Sequence, residues 1–238
     1  MVTTAPNREQ KTTIIVGASR GLGTGACTRI RPARLAGDCD RTHSASVKEL
    51  AGIFAASGEK IVVEQVDIDL PDSVDSLATR VGDRRFDLVF INAGVAGPEH
   101  QSVDAATPEE IGALMYTNAV APIRIARRLL PLLNDGGTLA FMSSRMGSVA
   151  ENVSGGIELY RASKAALNSL TRSFVATDIR DRPIAVLTMH PGWVRTDMRG
   201  PNAPLSVAES VAGIADVIEA GQAPGHRFID YQGAELAW

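Results

Sequence analysis

Short, unbroken apolar runs alternate along this chain with longer stretches in which apolar residues recur at helical spacing. Residues 12–16, 61–66, 86–91, 138–142 and 184–189 are runs of the first kind, and 227–230 is a shorter sixth. Continuous apolarity, as opposed to strict alternation, marks strands covered on both faces. Helix signals lie between them. Thr107-Pro108-Glu109-Glu110 joins an N-cap, a proline at the first helical position and a capping-box glutamate. Ser206 to Glu209 repeats the capping box ahead of Val211, Ile214, Val217 and Ile218. Residues 73–81 fit a further helix and 162–179 a long one. Strand–helix alternation predicts an α/β fold with a doubly wound, mainly parallel sheet flanked by helices and joined by right-handed crossovers. No repeat or linker interrupts the pattern. Residues 11–238 therefore read as a single domain, preceded by a flexible N-terminus over 1–10.

One segment departs from this scheme. A helix and then a second strand, ending near residue 41, are expected within residues 24–46. Pro32 falls where the helix should still run, and an interior proline costs about 3 kcal/mol. The expected strand has no proper apolar run. Either the helix stops early and the strand is poor, or the segment lacks regular structure.

Composition narrows the function classes. The 238 residues carry a net charge of -3, which gives no electrostatic reason to expect nucleic acid or an anionic membrane. Two cysteines, Cys27 and Cys39, are too few for a disulfide scaffold and point to a reducing compartment. They share no metal-ligand spacing with the four histidines, so no metal is expected. The polar start lacks the apolar core of a signal peptide, and no run is long enough to cross a bilayer. The expectation is a cytoplasmic protein, for which the Asn152-Val153-Ser154 glycosylation pattern has no use.

Chemistry enters at the end of the first strand. Gly17-Ala18-Ser19-Arg20-Gly21-Leu22-Gly23 follows it directly. The first glycine permits a tight turn out of the sheet. The later ones let backbone and helix approach a pyrophosphate at a helix N-terminus, where N–H groups point at the anion. Asn92-Ala93-Gly94 ends the run 86–91, Ser143-Ser144 ends the run 138–142, and Tyr160 and Lys164 follow. His190-Pro191-Gly192 and Thr196 come after the run 184–189. In that order, these motifs resemble the short-chain dehydrogenase/reductase superfamily over nearly the whole chain. Residues 143–168, with Gly155-Gly156 inserted before Tyr160, resemble most the single-domain branch of C-factor and sniffer-type carbonyl reductases.

The resemblance implies a Rossmann-type, nicotinamide-dependent oxidoreductase. It places Gly17, Ser19, Arg20, Gly21, Leu22 and Gly23 around the cofactor phosphates, and Asp67 and Ile68 at the adenine. Asn92, Ala93 and Gly94 would line the cofactor, with Pro191, Gly192, Val194 and Thr196 along the nicotinamide. An acidic residue after the second strand would bond the ribose 2′-OH and indicate NAD, whereas arginine would pair with a 2′-phosphate. Arg20 and Arg41 favour NADP(H) over NAD(H), although Asp38 and Asp40 share that segment.

Tyr160 and Lys164 share one helix face, a turn apart. A phenol alone, with a pKa of about 10, transfers protons poorly at neutral pH, and a neighbouring ammonium favours its ionised form. In the resembled family the tyrosine gives a proton to the carbonyl oxygen or takes one from the alcohol, and the lysine also binds the nicotinamide ribose. Ser144, rather than Ser143, matches the serine that bonds the substrate oxygen. Asn118 would hold a water linking Lys164 to solvent. The function expected is hydride transfer between NADP(H) and a carbonyl/alcohol pair, by a homodimer or homotetramer packed through the helices that carry Asn118 and Tyr160. The alternative is a dinucleotide-binding signalling or redox-sensing protein with little turnover.

Overall fold

The computed structural model describes residues 11–30, 34–38, 62–196, 198 and 200–238. Seven parallel strands form one sheet: β1 (Thr13–Val16), β2 (Arg34–Asp38), β3 (Val62–Val66), β4 (Phe86–Ile91), β5 (Leu133–Met142), β6 (Ala185–His190) and β7 (Gly225–Asp230). Their spatial order is β3-β2-β1-β4-β5-β6-β7. The helices are α1 (Gly21–Ile30), α2 (Pro71–Val81), α3 (Pro108–Met115), α4 (Ala121–Leu129), α5 (Glu158–Phe174) and α6 (Val207–Glu219). This is a doubly wound Rossmann-type domain.

Alternate residues of each strand point to opposite faces, and each face has its own core. Ile14, Val16, Val89, Ile91, Leu139 and Phe141 pack with Leu77 of α2, Leu129 of α4, and Leu167 and Phe174 of α5. Ile15, Leu88, Phe90, Ala140, Leu187 and Ile229 pack on the other side, with Ala26 and Cys27 of α1 and Val211, Ile214 and Ile218 of α6. Two buried faces explain why the strands read as unbroken apolar runs.

Of residues 24–46, only 24–30 and 34–38 are described. Helix α1 is seen to Ile30, and Arg34–Asp38 form the short strand β2. It lies between β1 and β3, with Val16 opposite Ala36 and Asp38 opposite Val66. Arg41 lies outside the described residues.

Other boundaries moved as well. Strand β5 begins at Leu133, opposite Phe86, and is irregular before Thr138, with Gly136 at φ 79°. The long helix begins at Glu158, not at 162, and runs from Phe174 into a π turn over Val175–Ile179. Asn118 lies in a second π turn, Tyr116–Val120, between α3 and α4.

The strand order reverses between β1 and β4, which opens a crevice at their C-terminal ends where ligands bind in open α/β sheets. Among the described residues, no helix is long and apolar enough to cross a membrane.

Candidate active site

The glycine loop leaves β1 at Gly17 and enters α1 at Gly21. The amide of Asn92, just past β4, donates to the Gly17 carbonyl at 2.8 Å and ties the two strand ends together. A cleft of about 1790 Å³ opens above this junction. Pockets for a single small ligand span roughly 300–1,000 Å³, so there is room for a dinucleotide and a substrate together. Of the residues singled out from sequence, Gly17, Ser19, Arg20, Gly21, Leu22, Asp67 and Ile68 line its wall. Asn92, Ala93, Gly94, Ser144, Tyr160, Lys164, Pro191, Gly192, Val194 and Thr196 line the remainder. Gly23 and Asn118 do not line it. Gly23 packs on the Gly17 carbonyl, and Asn118 is wholly buried behind the wall.

The exposed end of α1 fits a cofactor pyrophosphate. Its first turn holds no acidic residue, and Gly21 and Leu22 face the cleft with the unpaired N–H groups of a helix start.

Tyr160 and Lys164 project from the first half of α5 and are both buried, at 7% and 4% exposure. The Lys164 ammonium lies 5.8 Å from the centre of the Tyr160 ring. It also donates to the Met142 carbonyl at the end of β5, at 3.1 Å, so strand and helix together fix its position. The Ser144 hydroxyl oxygen accepts from the Met146 N–H at 3.1 Å, capping the short turn Arg145–Gly147.

Asn118 is more constrained than the sequence suggests. Its amide donates to the Val95 carbonyl at 2.8 Å and to Ser163 Oγ at 3.0 Å, while its oxygen accepts from the Val95 N–H at 2.8 Å. Both donors are therefore spent, and one lone pair of the oxygen is left. A side-chain carbon on Gly94 would lie 3.1 Å from that oxygen and 3.3 Å from Lys164 Nζ, so the two atoms flank one niche that glycine leaves open.

Several residues around the site had no sequence signal. Ser143 donates to Asn168 Oδ1 at 2.7 Å, and the Asn168 amide donates to the Gly147 carbonyl at 3.2 Å. This buried pair locks the turn that carries Ser144 onto α5. Asn168→Ala leaves the Ser143 hydroxyl and the Gly147 carbonyl without these bonds. It is expected to cost about 1–3 kcal/mol, measured by chemical denaturation. Asp69 receives the Thr117 hydroxyl at 2.8 Å, and burial pushes its carboxyl above the usual carboxylate range against that bond. Arg161 donates to the Gly156 and Gly155 carbonyls and to Ser154 Oγ, pinning the inserted glycines to the start of α5. Cys27 is buried and its thiol is pushed up to about 12, which suits a core residue.

Residues 11–204 match the family model for short chain dehydrogenases. The chain belongs to the short-chain dehydrogenase/reductase family. It is 42% identical over 169 residues to the C-signal of Myxococcus xanthus, covering 68% of this chain and 99% of that protein. A carbonyl reductase from Pseudomonas aeruginosa PAO1, solved in complex with NADP, superposes with a TM-score of 0.85 at 38% identity, over 97% of this chain and 100% of that one. Sniffer, the carbonyl reductase of D. melanogaster, gives 0.84 at 31% identity over 97% of this chain and 100% of its own. The chain is thus an oxidoreductase of the NAD(P)-dependent short-chain type, of the C-factor and carbonyl reductase kind.

Proposed function

We propose that this short-chain dehydrogenase/reductase reduces carbonyl compounds with NADPH, and runs the reverse reaction on alcohols, with Tyr160 as general acid/base. The observation that carries this reading is the buried Tyr160–Lys164 pair facing the cleft beside Ser144. When bound, the nicotinamide supplies or accepts the hydride. Tyr160 gives its phenolic proton to the substrate oxygen in reduction and takes it back in oxidation. Lys164, held by Met142, keeps a positive charge beside the phenol and bonds the nicotinamide ribose. Ser144 donates to the oxygen as charge develops on it. Water in the niche between Asn118 and Lys164 relays the proton to solvent.

For the cofactor, Gly17, Ser19, Gly21 and Leu22 would hold the pyrophosphate, with Gly23 packed behind the turn, and Asp67 and Ile68 would meet the adenine. Asn92–Gly94, Pro191, Gly192, Val194 and Thr196 line the remaining length. NADP(H) is favoured over NAD(H) by Arg20 in the cleft wall and by the NADP-bound Pseudomonas relative. Asp38 is the last residue of β2, and an acid following that strand is the sequence signal for NAD(H). Fluorescence titration decides between them. NADPH is expected to bind more tightly than NADH, and Arg20→Ala to weaken NADPH alone by about tenfold, or ~1.4 kcal/mol. Tighter NADH binding overturns the preference.

The reaction itself is tested by NADPH oxidation with aldehydes, ketones and quinones. The likeness to C-signal supports a second reading, as a dinucleotide-binding signalling protein with little turnover. Cofactor binding without turnover across that panel would favour it. We place the protein in the cytoplasm as a homodimer or homotetramer packed through α4 and α5, with residues 11–238 as its folded unit.

A further inference from the structure

Helix α5 carries both Tyr160 and Lys164, yet its N-terminus has no cap of its own. The residue before it, Ile157, is apolar, adopts the left-handed conformation at φ 51° and makes no side-chain capping bond. The first backbone N–H groups of a helix lack intrahelical partners, and Ser, Thr, Asp or Asn ordinarily satisfies one of them at this position.

The missing acceptor comes from elsewhere in the chain. The Tyr160 N–H donates to Gln101 Oε1 at 3.0 Å, across 59 residues of sequence. The same side chain's amide donates to the Ala96 carbonyl at 2.8 Å and the Pro98 carbonyl at 2.6 Å. Gln101 thus joins the segment that follows Gly94, where Val95 and Ala96 wall the cleft, to the backbone of the tyrosine itself. A second bond runs alongside, from the Val103 N–H to Glu158 Oε2 at 3.0 Å. Gln101 holds this place at φ 54°, a left-handed conformation that costs a non-glycine residue of order 1–3 kcal/mol and persists where surrounding contacts impose it.

We propose that Gln101 is the N-cap of the catalytic helix, supplied from a distant loop of the same chain, and so a positioning residue for Tyr160. Its carboxamide oxygen holds the tyrosine's backbone, and its amide holds the segment of the cleft wall at Ala96, tying the two together. The inference rests on the reading of Tyr160 as general acid/base. Small misplacements of a reacting group are costly, on the order of a hundredfold for ~1 Å.

The test compares Gln101→Met, which keeps the reach without polar atoms, with Gln101→Glu, which keeps the acceptor for the Tyr160 N–H. Gln101→Met is expected to speed hydrogen exchange at the Tyr160 amide and to lower kcat about tenfold, leaving KM and NADPH affinity unchanged. Gln101→Glu is expected to restore exchange protection at the Tyr160 amide, and kcat only in part, because its carboxylate has no donor for the Ala96 and Pro98 carbonyls. A merely structural role would not produce that rescue or confine the loss to kcat. If Gln101→Met does not fold, Gln101→Gly, for which φ 54° is unstrained, takes its place. Wild-type kcat in the uncapped variant, or no rescue by Glu, overturns the proposal. Turnover that survives Tyr160→Phe overturns the reading of Tyr160 and this inference with it. Turnover lost in Tyr160→Phe but untouched in Gln101→Met overturns this inference alone.

Discussion

Tyr160→Phe is expected to lower kcat for carbonyl reduction by roughly 10²–10⁴-fold, the usual contribution of a positioned general acid, while NADPH affinity stays near that of the wild type. The substitution removes one oxygen and leaves the ring, which is only 7% exposed, in its packed place. Lys164 keeps its bond to the Met142 carbonyl, so the ammonium does not drift when the phenol is lost. The helix keeps its cap, because Gln101 binds the backbone of residue 160 and not its side chain. Fold, cleft and cofactor site therefore survive, and the loss falls on proton transfer. Steady-state kinetics with a parallel NADPH titration separates the two quantities.

The other large effect is expected at the glycine loop. Gly23→Ala should abolish detectable nicotinamide binding and lower the thermal midpoint. A side-chain carbon at residue 23 would lie 1.9 Å from the Gly17 carbonyl oxygen and 2.8 Å from the Asn92 amide nitrogen. Neither neighbour can give way cheaply. The Gly17 oxygen is backbone in the turn out of β1, and it receives the Asn92 amide that joins β1 to β4. Relief requires α1 to back away from the sheet, which takes its N-terminus and the anion site with it. Overpacking alone costs about 1–3 kcal/mol, and loss of the site adds to it. Gly112→Ala is the control. That glycine sits in α3 with nothing within 4 Å of the added carbon, and alanine there should be neutral or stabilising by up to ~1 kcal/mol. Thermal melts and NADPH titrations of both variants check the contrast.

The sheet was legible wherever strands are buried on two faces, because burial imposes an apolar run. Strand β2 was not, since Arg34–Asp38 is held by backbone pairing with β1 and β3 and contains little that marks a strand. The start of β5 was hidden for a similar reason. Asn134 to Gly137 lie outside the apolar run 138–142, yet the Gly136 N–H donates to the Pro183 carbonyl and the Asn134 amide to Asp87. Tertiary bonds there override local preference. The early start of α5 was missed because its capping signal is not local: Ile157 offers none, and Gln101 lies in a different loop. The residues expected at the site, Asn118 apart, share one feature, that each follows a strand or forms a short-range pair, and the cleft gathers most of them at the C-terminal edge of the sheet. Asn168, Gln101 and Thr117 act by side-chain hydrogen bonds to partners far away in sequence, which leave no pattern there.

The central claim is that Tyr160 moves a proton at an oxygen beside a nicotinamide. The most direct test follows NADPH consumption and alcohol formation together, with one carbonyl substrate, in wild-type protein and Tyr160→Phe side by side. The account predicts equal amounts of NADPH consumed and alcohol formed by the wild type, and almost none of either in the variant, although it still binds NADPH. Equal turnover by the two proteins would contradict it.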